Sequence, residues 1–266
     1  MPYEMGAILN KCDLGDLEVL AKILAGYFNL SADKALRKEL RSFAKTPSEE
    51  TKAPLAQHFE KCIRYLGSAD LAYGWRSIFT KAEPAGASFD QILNDVSKRL
   101  KVKQKPLATL EARLERLVKS VADRTFFSLP VDRQRELFEK AGLSKEQQLK
   151  VLNQIGSNKT LFLPLVMSVA GPKVLMSVLN SLVLSLMTRF MTKEAAIALL
   201  RTLGTRFPIW VEWLGPIVWV LSLGWFAIDM QGPAYRKTVP ALLYIGLVCL
   251  RDGPIDGPSF WTEEPE

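Results

Sequence analysis

His58 and Cys62 are the two side chains whose types and spacing could perform a reaction. They lie four residues apart in LAQHFEKCI, so a helix would place both on one face, where an imidazole can activate a thiol as a nucleophile. A catalytic base also needs a group that orients it, and the sequence around His58, the only histidine of the chain, offers none. We therefore expect a structural histidine and a packing cysteine.

Other sequence patterns that carry catalysis are missing from the chain. No glycine-rich phosphate loop follows a strand-like segment, and no GxSxG turn occurs. Cys12, Cys62 and Cys249 have no metal-ligand spacing, and an odd number of cysteines does not form a disulfide framework. The sequence thus predicts a protein that is not an enzyme and has no cofactor and no metal. It also has no secretory signal, which favours a cytoplasmic location, extended by association with the inner membrane.

A basic segment is the stronger candidate for a functional surface. Residues 98–150 contain 14 Lys and Arg against 7 Asp and Glu. Such a surface can contact anionic lipid head groups or nucleic acid, or it can be a solvated helix face. No aromatic residues are interleaved for base stacking, so nucleic acid is the weaker partner. The residues expected to contact an anionic surface are Lys98, Arg99, Lys101, Lys103 and Lys105.

The elements that would position these residues are helices. Ser88 with Gln91 and Ser144 with Gln147 have capping-box spacing, and Gly142 follows a helical pattern as a C-terminal cap would. No segment shows sustained strand-like alternation. The sequence predicts an all-α fold with a charged helical domain over 1–155, a hydrophobic helical domain over 156–251 and an irregular, exposed acidic tail over 252–266.

Two apolar runs in the hydrophobic half predict a helical hairpin. Residues 161–170 and 174–187 are joined by Gly171-Pro172-Lys173, a natural tight connection. This hairpin over 161–187 could lie in a soluble core or enter a bilayer, as the hairpin of colicin-type pore-forming domains does. The analogy is one of architecture alone. The residues that mark the hairpin are Leu161, Phe162, Lys173, Val183 and Leu184.

The stretch WLGPIVWVLSLGWFAID covers 213–229 and begins with sixteen uncharged residues. At 1.5 Å per residue these span roughly 24 Å, less than the roughly 30 Å of a bilayer's hydrocarbon core. Trp213 and Trp225 lie near its two ends as interfacial anchors would, whereas the central Trp219 fits only packing. We expect a helix that is buried in the soluble form rather than a permanent membrane span.

Two stretches resemble the YaaW-type bacterial proteins: ILNDVSKRLKVK at 92–103 and GPAYRKTVPALLYIGLVCLR at 232–251. The matching residues of the first core are Asp95, Val96, Ser97, Lys98, Arg99 and Leu100. Those of the second are Gly232, Pro233, Ala234, Tyr235, Arg236, Thr238, Pro240 and Ala241. Neither stretch is a catalytic signature.

The resemblance implies a domain of unknown function together with a region similar to the ubiquinol-cytochrome c chaperone domain. That domain is helical and assists assembly of a membrane respiratory complex. This chain departs from the pattern before GPAYR, because bulky residues replace a stretch rich in glycine and alanine. The departure makes membrane behaviour more plausible and puts an inherited soluble-chaperone role in doubt.

Two hypotheses follow from the sequence. The first is a non-enzymatic helical protein that associates with or conditionally inserts into the membrane, as a pore-forming or defence-type effector would. The second is a soluble helical chaperone or protein-interaction module. The expected partner is an anionic membrane surface in the first case and an unknown protein client in the second, and a homo-oligomer stays open in both.

Overall fold

The computed structural model describes residues 4–24, 30–67, 87–105, 108–156, 162–206 and 235–262. Within these ranges the regular secondary structure consists of helices, so the prediction of an all-α protein is confirmed. The helices are α1 (Glu4–Leu9), α2 (Leu14–Leu24), α3 (Leu30–Lys45), α4 (Glu49–Gly67), α5 (Phe89–Arg99), α6 (Leu110–Ser128), α7 (Val131–Lys140), α8 (Lys145–Ile155), α9 (Phe162–Arg189), α10 (Lys193–Arg206) and α11 (Tyr235–Leu250), followed by a 3-10 helix (Pro258–Trp261).

The predicted helix ends are confirmed where the signals are local. Ser88 caps α5: its Oγ accepts the Gln91 N–H at 3.2 Å, and Gln91 Oε1 accepts the Ser88 N–H at 3.1 Å. Ser144 and Gln147 form the same reciprocal pair at the start of α8. Gly142 follows α7 with φ of 97°, a left-handed conformation that favours glycine.

The centre of the fold is formed by α6, α9 and α11, which pack against one another. Phe126 of α6 stacks on Phe162 of α9 with ring centroids 3.9 Å apart, and Phe138 of α7 lies 5.3 Å from Phe126. These rings fix the start of α9 against α6 and α7. Helices from both sequence halves contribute to one cluster of buried apolar residues, and the division into domains near residue 155 stays a prediction.

α11 lies deep in this core, since every residue from 238 to 250 is buried. Gly246 permits its close approach to α6. A Cβ at that position would lie 2.6 Å from Val118 Cγ2 and 2.8 Å from the Leu114 carbonyl oxygen. The core role of the segment after GPAYR therefore depends on a missing side chain as much as on apolar ones.

α9 contains the two apolar runs of the predicted hairpin. Its backbone breaks at Gly171, with φ of 83° and ψ of 175°, and this break falls at the expected connection. Beyond the break, the hairpin itself stays a prediction. Leu161, Trp213, Trp219, Trp225, Gly232 and Pro233 lie outside the described residues, so the predictions about them also stay predictions.

The C-terminal segment is largely exposed over 252–259, as expected from its prolines and acidic residues, but its two aromatic residues are not. Phe260 and Trp261 are buried, and both belong to the 3-10 helix. Lys119 of α6 donates a hydrogen bond from Nζ to the Phe260 carbonyl at 2.8 Å. The packing of these two aromatic side chains into the core, rather than the polar composition of the tail, determines where this segment lies.

Candidate functional site

The two stretches that carry the family resemblance meet in the fold. α5 packs on α11, and the Arg99 guanidinium lies over the ring of Tyr235, with its carbon 5.4 Å from the ring centroid. A cation over an aromatic face is held by the ring's quadrupole. The DVSKRL core thus contacts the first residue of the helix that follows GPA.

The backbone after α5 is fixed by side chains of α6 and of the loop itself. Lys101 has φ of 54°, a left-handed conformation uncommon outside glycine, and Arg124 donates a hydrogen bond to its carbonyl. Gln104 donates from Nε2 to Ser97 Oγ at 2.9 Å and to the Arg113 carbonyl at 3.2 Å. The first part of the basic segment, residues 98–105, therefore has an ordered backbone that begins at the end of α5 and continues into the loop. We call this part the basic loop.

Three of the five predicted anionic-contact residues are exposed, namely Lys98, Lys101 and Lys103. Arg99 and Lys105 are half-buried. Arg236, one residue after Tyr235, is also exposed. Among the other motif residues, Asp95 is exposed, whereas Ser97 and Pro240 are buried and serve the packing of α5 and α11.

α9 carries the apolar surface predicted for the hairpin, but its two halves differ. Val183 and Leu184 are core residues, with exposed fractions of 0% and 2%. The first half packs only partly: Leu165, Met167, Val169 and Ala170 are half-buried, and Lys173 is exposed beside the break. Within the described residues, α9 is the helix long and apolar enough to cross a membrane, yet only 33% of its apolar window is buried.

An ionic cluster around the buried Asp16 joins residues near the two ends of the chain, and sequence reasoning missed it. Asp16 of α2 is 1% exposed; it accepts hydrogen bonds from the Tyr244 hydroxyl at 2.9 Å and from Arg251 NH2 at 2.7 Å to each carboxylate oxygen. Asp13 and Asp16 also cap α2 reciprocally, each side chain accepting the other's N–H at 2.9 Å. The Asp-x-x-Asp spacing was the one available signal.

Two further carboxyl groups on α6 lie in poorly solvated positions. Glu115 is buried and accepts the Ile255 N–H at 3.1 and 3.2 Å. Burial raises the pKa of Glu115 to about 7, an effect that the Ile255 hydrogen bond opposes and that the charges of Glu111 and Asp256 increase. Burial likewise raises the pKa of Asp123 to about 7. Both groups change charge near neutral pH.

Of the two residues that could do nucleophilic chemistry, Cys62 is buried and His58 is half-buried. His58 has a partner that the sequence did not reveal, since its Nδ1 lies 3.1 Å from Glu39 Oε2 of α3. Burial raises the pKa of the Cys12 thiol to about 12 and raises that of Cys249 as well, which disfavours thiolates. No cluster of potential metal ligands occurs among the residues that the structure describes.

Together these observations define an all-helical protein with an ordered basic loop and a partly packed apolar helix. The chain is similar to a UPF0174 protein of Helicobacter pylori, with 24% identity over 199 residues that cover 75% of this chain and 72% of the relative. No family model and no solved structure matches the chain. The relative supports the coarser part of the resemblance, an uncharacterised bacterial family.

Proposed function

We propose that this is a non-enzymatic helical protein that associates with anionic membrane surfaces from the cytoplasmic side. The observation that carries the proposal is the burial of α9. This helix is long and apolar enough to cross a membrane, and only 33% of an apolar 18-residue stretch within it is buried. A helix that serves only as core buries its apolar face against other elements. The half-buried flank of α9 is an apolar surface that contact with a bilayer would cover. It is formed by Leu165, Met167, Val169 and Ala170.

The basic loop supports the same proposal through its charge and its order. Lys98, Lys101 and Lys103 are exposed on a backbone that Arg124 and Gln104 hold in place. A basic residue close to an anionic leaflet contributes about 1 kcal/mol. The three lysines together would give reversible binding that weakens as salt screens their charges.

Charge reversal tests the role of the loop. We expect the triple variant Lys98→Glu, Lys101→Glu and Lys103→Glu to lose cosedimentation with phosphatidylglycerol vesicles. The matched control is Lys61→Glu, Lys145→Glu and Lys150→Glu, which reverses three exposed lysines elsewhere and changes the net charge equally. Equal loss in both triples would mean that only net charge matters, and no loss in either would remove the loop from membrane binding.

Insertion is the stronger form of the proposal, in which α9 leaves the core and permeabilises the bilayer as an effector would. Because Val183 and Leu184 are core residues, insertion requires the second half of α9 to separate from α6 and α11. Release of a trapped dye from phosphatidylglycerol vesicles measures this step separately from binding. Binding without dye release would limit the function to peripheral association.

A soluble interaction module similar to the ubiquinol-cytochrome c chaperone domain is the second candidate. The burial of residues 238–250 of α11 favours this candidate, because the apolar part of the helix is already covered by other helices and needs no membrane to cover it. Under this candidate the half-buried flank of α9 would contact a protein client. A protein that ignores vesicles of every composition would favour this second candidate over the first.

A further inference from the structure

A cleft of about 660 Å³ lies beside the ionic cluster that joins the chain ends. This volume falls within the roughly 300–1,000 Å³ of small-molecule sites. One wall is the second half of α9, and another is the end of α11 with Tyr244 and Arg251. Leu203 of α10 and Asp13 also line the cleft.

Arg251 is held at this cleft in a fixed orientation. Its NH2 group donates to both oxygens of the buried Asp16, at 2.7 Å each, and Tyr244 fixes that carboxylate from a second side. Its NH1 lies 3.8 Å from Asp13 Oδ2, beyond hydrogen-bond distance. NH1 thus forms an ion pair with Asp13 but no hydrogen bond to it, and a bound anion could accept hydrogen bonds from NH1 and Nε, since guanidinium matches carboxylate and phosphate geometry.

α9 supplies polar groups at helical spacing along the opposite wall. Lys173, Ser177 and Asn180 all line the cleft, and positions four and three residues apart lie on one helix face. Asp16 offsets the charge of Arg251, so Lys173 brings the further positive charge. The charge of Asp13 is moderated, because its side chain is 52% exposed and caps the N-terminus of α2.

The remainder of the lining is apolar. Met176 and Leu184 contribute from α9, Leu203 from α10, and Leu247 and Val248 from α11. A few oriented polar groups in a largely apolar cleft are typical of a site for a ligand with a polar head and an apolar body.

We propose that this cleft binds a single-chain anionic amphiphile, a carboxylate or phosphate head on an alkyl chain. The head lies between Lys173 and Arg251, and the chain lies along Leu184, Leu203 and Leu247. The proposal does not rest on membrane association, because the ligand is a dissolved monomer. It would hold for a protein that never touches a bilayer.

Isothermal titration with laurate and with dodecyl phosphate, each below its micelle concentration, tests the site on the full chain. We expect saturable binding of one ligand per chain for both. Dodecyltrimethylammonium carries the same chain with a cationic head and should not bind, and inorganic phosphate should bind at least tenfold more weakly than dodecyl phosphate. Equal affinity for the cationic amphiphile, or for phosphate alone, would overturn the proposal.

Variants locate the binding in the cleft. Lys173→Glu should weaken laurate binding tenfold or more, while Lys145→Glu, an exposed change at the start of α8, should leave it unchanged. Ser177→Trp should block the chain while keeping every charge, with melting temperature checked in parallel. Unaltered laurate affinity in Lys173→Glu contradicts the proposed head-group position, whatever the vesicle experiments show.

Discussion

Asp16 receives hydrogen bonds from Tyr244 and Arg251, which are 228 and 235 residues away in the chain. Asp16 is buried, whereas the Arg251 side chain is 39% exposed and water can solvate it when its partner is neutral. We expect Asp16→Asn to lower the free energy of unfolding by about 1 to 3 kcal/mol, because the charge-assisted hydrogen bonds to a buried carboxylate are lost. Urea denaturation measures this change.

Asp13→Asn is the matched control for Asp16→Asn, because its side chain is 52% exposed and asparagine can still cap α2. We expect a loss below about 1 kcal/mol for the control. Equal losses in the two variants would mean that capping, rather than the long-range pair with Arg251, accounts for the role of Asp16.

Glu115 predicts a dependence of stability on pH. Its pKa is raised to about 7 in the folded protein, so between about pH 4.5 and 7 the folded state binds more protons than the unfolded state. Stability from this group is complete below its unfolded pKa and is lost as pH rises through 7. The unfolding free energy should therefore fall from pH 5 to pH 8.

Glu115→Gln should reduce that fall by about 2 kcal/mol, measured by urea denaturation at each pH. Asp123 has a pKa raised to about 7 as well and contributes a fall of the same sign. Glu115→Gln with Asp123→Asn should therefore give the flattest profile. An unchanged slope in the double variant would show that both carboxyl groups are better solvated than their positions indicate.

At the scale of elements, the helix ends were predictable and the packing partners were not. The capping boxes at Ser88 and Ser144 depend on residues three positions apart, so the sequence displays them directly. The bond from Ile255 to Glu115 joins residues 140 apart, and no local pattern specifies it. The docking of the C-terminal segment was missed for this reason, as was the Asp16 cluster at the candidate cleft.

The contact of α11 with α6 gives an element-scale prediction. A methyl group on Gly246 would meet Val118 and the Leu114 carbonyl at under 3.0 Å, and a backbone oxygen cannot move without shifting α6. We expect Gly246→Ala to lower the unfolding free energy by about 1 to 3 kcal/mol. Gly156→Ala is the control: its nearest neighbour would be 3.5 Å away, so its effect should be neutral or slightly stabilising. Similar losses in the two variants would mean that the close contact between α11 and α6 does not cause the loss in Gly246→Ala.

The first half of α9 gives a prediction about lipid binding. Leu165→Gln with Met167→Gln makes its half-buried flank polar and should reduce binding to phosphatidylglycerol vesicles several-fold while leaving the basic loop intact. The control is Leu149→Gln with Ile197→Gln, which replaces two exposed apolar residues elsewhere. Vesicle cosedimentation compares the two variants, and equal binding by both would mean that the flank does not contact lipid.

At the scale of the whole molecule, the sequence predicted the helical class and the apolar inventory but not how that inventory is distributed. Composition alone does not separate a core helix from a membrane helix. The fold adds the burial of each residue: Val183 lies in the core, whereas Leu165 is half-buried on the same helix. The proposed function rests on that difference together with the exposed Lys98, Lys101 and Lys103.

Flotation of the unmodified protein with liposomes tests the central claim most directly. Phosphatidylglycerol vesicles and phosphatidylcholine vesicles would be compared in a density gradient at low and at physiological salt. The account predicts that the protein floats with the anionic vesicles, less so at the higher salt, and stays at the bottom with the zwitterionic ones. Protein that stays at the bottom with both kinds of vesicle would contradict membrane association.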